Sequence, residues 1–190
     1  MLKSLCVYCG SSSGSRSEYL EAAKSVGELL AKNSITLVYG GGSVGLMGAV
    51  ADATLKAGGH VVGVITEHLM EMEVGHLHLN KLHITKTMHE RKTLMAELAD
   101  GFVALPGGIG TLEELFEVYT WAQLGVHAKP CGILNTCGFY EPLLSMMQHL
   151  VDQHFLKEVH NRTLIAESEP EALLEKLQAY QPQFTKKWVN

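Results

Sequence analysis

Residues 105–114, LPGGIGTLEE, decide the fold class of this chain. The apolar run that precedes them, residues 101–105, predicts a buried strand, and the periodic run 112–124 that follows predicts a helix. The glycines between the two give the backbone freedom to turn sharply and let a ligand approach the amide groups. A helix start also offers unpaired N–H groups and the positive end of a dipole. The stretch therefore predicts a strand–loop–helix unit that binds an anion, most often a phosphate.

Length and charge narrow the possible classes of protein. The chain has 190 residues, enough for one domain with a sizeable core, and its net charge of −5 without a basic block argues against nucleic-acid binding. The first residues, MLKSL, lack the apolar stretch and cleavage site of a signal peptide. No segment approaches the ~18 apolar residues that cross a bilayer. We therefore expect a cytoplasmic protein that does not bind a membrane.

Cys6 and Cys9 form a C-x-x-C pair, which raises a redox or metal interpretation. The pair lies within a predicted strand, where the odd spacing sends the two side chains to opposite faces. We therefore expect buried, unreactive thiols.

Apolar runs and helical periodicity alternate along the chain. Strands are predicted at 2–8, 35–39, 60–66, 81–85, 102–105, 131–135 and 164–166, and helices at 19–32, from the 40–48 loop to Leu55, and at 88–99, 112–124, 140–155 and 170–180. This alternation predicts an α/β fold in which a parallel sheet is covered by helices on both faces. We expect a single domain over residues 1–180 and an irregular tail over 181–190.

Three loops rich in glycine or serine fall at the carboxyl ends of predicted strands, where such sheets bind ligands: 10–15, 40–48 and 106–111. The first, which contains Ser12, offers amides and hydroxyls. The second contains Gly40-x-Gly42-x-x-Gly45, the dinucleotide fingerprint, and Glu67 stands where an acid could bind a ribose. This favours an NAD-dependent oxidoreductase as an alternative function. The same glycines are also explained by tight turns and close packing of a helix on the sheet.

Glu114 has two interpretations that local pattern does not separate. Thr111-x-x-Glu114 matches a capping box, in which the glutamate serves the start of the helix. Glu114 also lies at the edge of the apolar face of its helix, where a carboxylate could enter a cleft. Glu113 and Glu117, spaced i, i+4, are expected to be solvated or paired.

Arg91 lies on the apolar stripe of helix 88–99, between Met88 and Met95. Either its stem covers apolar surface while its charge reaches water, or its guanidinium enters a pocket or subunit interface and holds a phosphate or carboxylate. The adjacent Lys92 could add a second positive contact. The ten histidines are scattered without the spacing of a metal site, so we expect no metal. We also expect no serine that acts as a nucleophile.

Residues 106–114, PGGIGTLEE, resemble the PGGxGTxxE signature of the LOG ("Lonely Guy") family, the cytokinin riboside 5′-monophosphate phosphoribohydrolases, whose members have also been labelled lysine decarboxylases. Further blocks similar to the family are 9–12, 39–42, 45–48, 88–92 and 120–125. The resemblance covers the chain up to Tyr180.

The resemblance implies a Rossmann-like homodimer that hydrolyses the N-glycosidic bond of AMP or an N6-substituted AMP, without a cofactor, to the free base and ribose 5-phosphate. By motif position, Arg91 and Glu114 match the catalytic pair, residues 107–111 match the phosphate loop, and Glu73 matches an acid near the base or ribose. The neighbouring subunit would complete the active site. The candidate substrate-binding residues are Gly107, Gly108, Gly110, Thr111, Lys92, Glu73, Ser12 and Gly42.

A nucleotide-binding protein remains open beside the NAD-dependent oxidoreductase, whereas the residues do not favour a decarboxylase. A purine nucleotide-binding protein without turnover would use the same loops. A decarboxylase would need a lysine that binds pyridoxal phosphate, and Lys92 is the lysine near the proposed site, without an evident partner for the ring nitrogen.

Overall fold

A computed structural model describes residues 2–72 and 75–182 of the chain. Its strands are β1 (Ser4–Tyr8), β2 (Thr36–Tyr39), β3 (Val61–Thr66), β4 (Lys81–Thr85), β5 (Phe102–Ala104), β6 (Cys131–Leu134) and β7 (Leu164–Glu167). Its helices are α1 (Ser17–Lys32), α2 (Gly45–Lys56), α3 (Glu67–Met72), α4 (Met88–Leu98), α5 (Ile109–Gln123), α6 (Glu141–Asp152), α7 (Glu158–Asn161) and α8 (Pro170–Ala179). A short 3₁₀ helix, Thr136–Gly138, precedes α6.

The strands form one seven-stranded sheet in the order β4-β3-β2-β1-β5-β6-β7, and every pairing is parallel. The chain first builds outward from β1 to β4 and then returns to place β5 on the other side of β1. The loops after β1 and β5 therefore diverge at the point where the strand order reverses, which is where open α/β sheets bind their ligands.

Helices cover both faces of the sheet, as the alternation of elements predicts. One apolar core lies between the sheet and α1, α2 and α8, and the second lies between the sheet and α4, α5 and α6. Successive residues of β1 alternate between the two cores, so Cys6 belongs to one and Cys9 to the other. Both thiols are free and buried, and burial raises the pKa of each above its ordinary value, as expected for unreactive cysteines. Among the helices described, none has the length and apolar character needed to cross a membrane.

The predicted strands and the longer predicted helices are all present, with ends that differ by a few residues. The structure adds α3 and α7, which the sequence reasoning did not predict because they are too short, at six and four residues, to show helical periodicity. The change that matters for the site is at α5, which begins at Ile109 and not at Leu112. Only Gln181 and Pro182 of the expected tail lie within the described residues.

Gly27 allows α1 and α2 to cross closely. A Cβ at this position would lie 2.5 Å from the carbonyl oxygen of Val50 and 3.0 Å from the Cβ of Ala53. This contact brings the start of α2, and the glycine loop before it, against the loop that follows β1.

We predict that Gly27→Ala lowers the free energy of unfolding by about 1–3 kcal/mol, because its methyl group overlaps a main-chain oxygen that cannot move freely. The matched control is Gly110→Ala in α5, where a Cβ meets no atom within 4 Å. That variant should be neutral or slightly stabilising, since alanine favours a helix over glycine. Urea denaturation measures both, and equal stability of the two variants would contradict the close crossing.

Candidate active site

The candidate site lies at the carboxyl ends of β1 and β5, beside the loops that follow these strands. Leu105 N–H donates to the Tyr8 carbonyl (2.9 Å), and Gly10 N–H donates to the Pro106 carbonyl (3.1 Å), so the two loops leave the sheet together. A cavity of 310 Å³ opens beside them. It is lined by Cys9, Gly10, Ser11, Met47, Leu69, Met88, Arg91, residues 108–111, Glu113 and Glu114.

A second cavity of 250 Å³ adjoins the first and shares Gly10, Ser11 and Gly108 with it. Ser12 and Gly107 line this second space, together with the perpendicular rings of Tyr19 and Phe139, whose centroids are 5.6 Å apart. The structure thus brings the predicted residues of loops 10–15 and 106–111 to one place. A wider groove of 550 Å³ between α1 and α2 contains none of the predicted site residues.

The start of α5 is open towards the first cavity. Gly108 is the residue before the helix, and no side chain caps the N–H groups of the first turn. A Cβ added at Gly108 or Gly110 would meet no atom within 4 Å. A ligand can therefore approach these amides closely, as a phosphate site requires. Gly107 differs, because a Cβ there would lie 2.1 Å from Thr111 Oγ1.

The capping-box interpretation of Thr111 and Glu114 is wrong. Because α5 begins at Ile109, Thr111 is the third helical residue and is buried, with 4% of its surface exposed. Glu114 then lies more than a turn inside the helix, beyond reach of the N–H groups that a cap satisfies. Glu114 instead forms part of the cavity wall.

Glu114 is a buried acid paired with an arginine. Its side chain is 13% exposed, and its Oε1 lies 3.5 Å from Arg91 Nη1. Burial, which disfavours the charged carboxylate, raises the pKa of Glu114 to about 7, although the Arg91 charge acts in the opposite direction. Near neutral pH this group can therefore exchange a proton or hold a charge.

Arg91 is fixed by the main chain of two strands. Its Nε donates to the Val64 carbonyl (3.0 Å) and its Nη2 to the Gly40 carbonyl (3.3 Å). The guanidinium is buried, and it reaches Glu114 of its own chain, so the pair does not depend on an arginine from a second subunit. A Cβ at Gly40 would lie 2.2 Å from Nη2, which explains this glycine. Of the two interpretations of Arg91, the structure agrees with the one in which the guanidinium enters a pocket and binds a carboxylate.

A capping box that the sequence reasoning missed positions Arg91. Thr87 precedes α4, and its hydroxyl accepts from Glu90 N–H (3.1 Å) while the Glu90 carboxylate accepts from Thr87 N–H (3.4 Å). The Thr-x-x-Glu pattern is visible in the sequence and could have been found. It fixes the start of α4, and with it the rotation that turns residue 91 towards the sheet.

Lys92 does not itself line the cavity. Its ammonium donates to Glu113 Oε1 (2.5 Å) and Glu117 Oε1 (3.0 Å) of α5. The expectation that these two glutamates are paired is confirmed, and their partner is Lys92. The contact predicted between Lys92 and substrate has no support in this geometry.

The glycine loop 40–48 serves packing. The Gly10 carbonyl accepts from the N–H groups of Leu46 (3.0 Å) and Met47 (3.4 Å), so amides that would bind a dinucleotide are occupied by the main chain. Gly45 has φ +60°, and a Cβ there would lie 2.3 Å from the carbonyl carbon of Ser11. Gly42 pairs with Gly75 in an isolated bridge and lines neither cavity. The NAD interpretation loses its structural basis.

Three apolar side chains of the cavity were not predicted. Met47, Leu69 and Met88 come from α2, α3 and α4 and add apolar surface to the cavity. Leu69 could not be found because α3 shows no periodicity. Glu73 lies outside the described residues. Among those described, no group of three or more histidines, cysteines or acids has a metal-binding arrangement.

Comparison with known proteins places this geometry in context. A family model described as "Possible lysine decarboxylase" matches residues 47–177. The cytokinin riboside 5′-monophosphate phosphoribohydrolase LOG of Oryza sativa subsp. japonica is 48% identical over 180 residues, which is 95% of this chain and 74% of that protein. Its counterpart LOG7 of Arabidopsis thaliana is 47% identical over 182 residues, 96% of this chain and 84% of the relative. The solved structure of TM1055 has a TM-score of 0.71 and 24% identity, covers 94% of this chain and 99% of its own, and shares the fold.

The raised pKa of Glu114 makes stability depend on pH. Between pH 4.5 and about 7 the folded chain holds a proton at Glu114 that the unfolded chain releases, so stability falls as the pH rises through this window. Glu114→Gln removes this titration. We predict that the free energy of unfolding of Glu114→Gln, relative to the native protein, rises by up to about 3 kcal/mol across the window.

Urea denaturation at several pH values measures this difference. Changes in packing or hydrogen bonding caused by the substitution add an offset that does not change with pH, so only the pH-dependent part is diagnostic. Glu97→Gln, on the exposed side of α4, is the control and should differ from the native protein by a constant amount. A constant difference for Glu114→Gln as well would show that folding does not raise the pKa of this carboxyl.

Proposed function

The chain belongs to the LOG family, and on that premise we propose that it is a phosphoribohydrolase that cleaves the N-glycosidic bond of AMP or an N6-substituted, cytokinin-type riboside 5′-monophosphate. The products are the free base and ribose 5-phosphate. The observation that carries the proposal is the buried Glu114–Arg91 pair in the wall of a cavity that also contains the open start of α5.

The glycine loop and the start of α5 bind the 5′-phosphate. The amides of residues 109–111 stand at the positive end of the helix dipole, and Gly108 and Gly110 leave space for the phosphate oxygens. Binding the phosphate here places the attached ribose near Glu114, which is on the next turn of the same helix. Binding energy from this non-reacting group then positions the reacting carbon.

Glu114 acts on the ribose as a carboxylate. Cleavage of the bond between C1′ and the base nitrogen develops positive charge on the ribose, in an oxocarbenium-like transition state. The Glu114 carboxylate stabilises that charge and orients the attacking water. The water oxygen bonds to C1′, the bonding electrons leave with the base, and the base gains a proton. Both roles require the ionised carboxylate, so the reaction should slow as the pH falls below about 7.

Arg91 positions Glu114. Two of its nitrogens are held by the Val64 and Gly40 carbonyls, and the third faces the Glu114 carboxylate. A guanidinium held in this way has little freedom to follow a ligand, but it fixes the orientation of its partner and favours the charged form. This arrangement supports a positioning role for Arg91 over a phosphate contact.

Chemistry that depends on pyridoxal phosphate, which the description of the family model would imply, does not fit the residues present. A Schiff base needs a neutral amine, and no lysine lines either cavity. Burial acts to lower the pKa of Lys92, but its hydrogen bonds to Glu113 and Glu117 raise it above the ordinary value. That ammonium is kept charged and away from the cavity.

We further propose a cytoplasmic homodimer whose second subunit covers the cavity mouth. Ile109 and Met88 line the cavity and are 83% and 43% exposed, which leaves apolar surface for a partner at that point. Leu124 and Val126, after α5, are also exposed, whereas Trp121 packs partly on the core. The free thiols of Cys6, Cys9, Cys131 and Cys137 are consistent with a reducing compartment.

The proposed activity predicts the effect of two substitutions. Glu114→Gln and Arg91→Ala should each lower the release of base from AMP and isopentenyl-AMP by a factor of about 10²–10⁴, because one removes the carboxylate and the other its partner. Chromatography of the released base measures this, with circular dichroism to confirm folding. Glu97→Gln is the control and should retain activity. Full activity in both site variants would refute the roles assigned here, and tight AMP binding without release by the native protein would indicate a binding protein.

The proposed dimer predicts that charge at the exposed apolar positions disrupts association. Leu124→Asp with Val126→Asp should convert the dimer to a monomer in sedimentation velocity, since a buried unpaired carboxylate opposes association. Phe155→Asp, at an apolar residue that is 85% exposed beyond α6, is the matched control and should remain dimeric. Dissociation by Phe155→Asp alone would place the interface elsewhere.

A further inference from the structure

Lys92 is a charged residue with only 8% of its surface exposed, and it joins two helices that both carry active-site residues. It extends from α4, where Arg91 precedes it, to α5, where Glu113 and Glu117 flank Glu114 in sequence. The two hydrogen bonds, 2.5 Å and 3.0 Å, use two of the three donors of its ammonium. A buried lysine held by two carboxylates links the helices at a fixed distance and rotation.

Lys92 supplies one of the two positive charges that face the three carboxylates around Glu114. Helix α4 contributes the cations Arg91 and Lys92, and α5 contributes Glu113 and Glu117 in addition to Glu114. The titratable groups on the β1 side are Cys6, Tyr8 and Cys9, and burial raises the pKa of each, so they are neutral near pH 7. Without Lys92, three carboxylates within two helical turns would face one guanidinium.

Like charges at this separation disfavour the ionised form of one another. Glu113 and Glu117 act to raise the pKa of Glu114, whereas Arg91 and Lys92 act to lower it. Lys92 therefore favours the ionised form of Glu114 in two ways: its positive charge attracts the carboxylate, and its hydrogen bonds offset the charges of the two glutamates that repel it.

We propose that Lys92 is a positioning residue for the reaction: by pairing with Glu113 and Glu117 it keeps Glu114 ionised near neutral pH and holds α5 against α4, without contacting the nucleotide. This inference rests on the proposed function. It differs from the sequence-based expectation of a substrate contact, because Lys92 is absent from the lining of both cavities. Its two glutamate partners would also repel a phosphate brought to the ammonium.

The test compares Lys92→Met, which keeps length and loses charge, with Lys92→Arg, which keeps the charge. In Lys92→Met the acidic limb of kcat/KM against pH should move to higher pH by about 1 unit, because Glu113 and Glu117 are left unpaired beside Glu114. At pH values above that limb, KM for AMP should stay within about twofold of the native value, because the substitution removes no contact with the bound nucleotide. Lys92→Arg should keep the native limb.

A compensating variant shows that the effect comes from charge. In Lys92→Met/Glu113→Gln/Glu117→Gln the acidic limb should return to the native position or below it. A rise in KM of tenfold or more in Lys92→Met with an unmoved limb would overturn the proposal and assign Lys92 to the phosphate. If Lys92→Met does not fold, Glu113→Gln and Glu117→Gln give the reciprocal test and should each move the limb to lower pH, and an unmoved limb in both overturns the proposal.

A measurement without substrate separates this proposal from the proposed function. The Glu114 carboxyl can be titrated by ¹³C NMR, with its signal assigned by its loss in Glu114→Gln. Its titration midpoint should be higher in Lys92→Met than in the native protein and unchanged in Lys92→Arg. If the native protein releases no base, the proposed function fails while this titration still tests Lys92, and an equal midpoint in Lys92→Met and native protein overturns the proposal.

Discussion

The buried contact between Arg91 and Glu114 is the interaction on which the arrangement of the site depends. Placing two charges where their side chains are 9% and 13% exposed costs desolvation energy, and attraction between them offsets that cost only if their remaining polar groups are also satisfied. The main-chain carbonyls of Val64 and Gly40 provide this for the arginine. The same guanidinium thus connects the ends of β2 and β3 to α4, and through Glu114 to α5. Four elements are brought together by one side chain, and removal of either charge would leave the other buried without a partner.

Two glycine loops that look alike in the sequence have different physical roles, and the space around each Cα separates them. In loop 40–48 the glycines are surrounded: side chains at Gly40 and Gly45 would overlap the Arg91 guanidinium and the Ser11 main chain. At the start of α5, Gly108 and Gly110 face open space. A glycine that faces space in a cavity leaves room for a ligand, whereas an enclosed glycine leaves room for the protein itself. In loop 40–48 the Gly10 carbonyl already accepts from the N–H groups of Leu46 and Met47, so these amides are not available to a dinucleotide phosphate.

Sequence periodicity was sufficient for the parallel sheet, the layers of helices and the convergence of loops 10–15 and 106–111, because these depend on patterns within single elements. It also identified Arg91 as a cation on an apolar stripe, but it left open whether the guanidinium reaches water or enters a pocket, and the structure shows the second. It failed where the partner comes from elsewhere in the chain. The Thr111 pattern suggested a helix start there, but the residue that precedes the helix is Gly108, three positions earlier. The local sequence also does not show that the Gly10 carbonyl accepts from the first amides of α2, or that Lys92 pairs with glutamates of α5. Helix α3, which supplies Leu69 to the cavity, has only six residues, too few to show the periodicity by which a helix is recognised in a sequence.

The three acids of α5 show how one helix can serve both binding and catalysis. Negative charge near a helix start is favoured by the dipole, but it competes with a phosphate for the same positive end. In this structure Glu113 and Glu117 are neutralised by a lysine from α4, and Glu114 is paired with an arginine from the same helix. The first-turn amides are therefore left to an incoming anion, although three carboxylates lie within the next two turns. The flanking acids and Glu114 have different cationic partners, and burial raises the pKa of Glu114, so a phosphate and a carboxylate that titrates near neutral pH can occupy neighbouring turns of one helix.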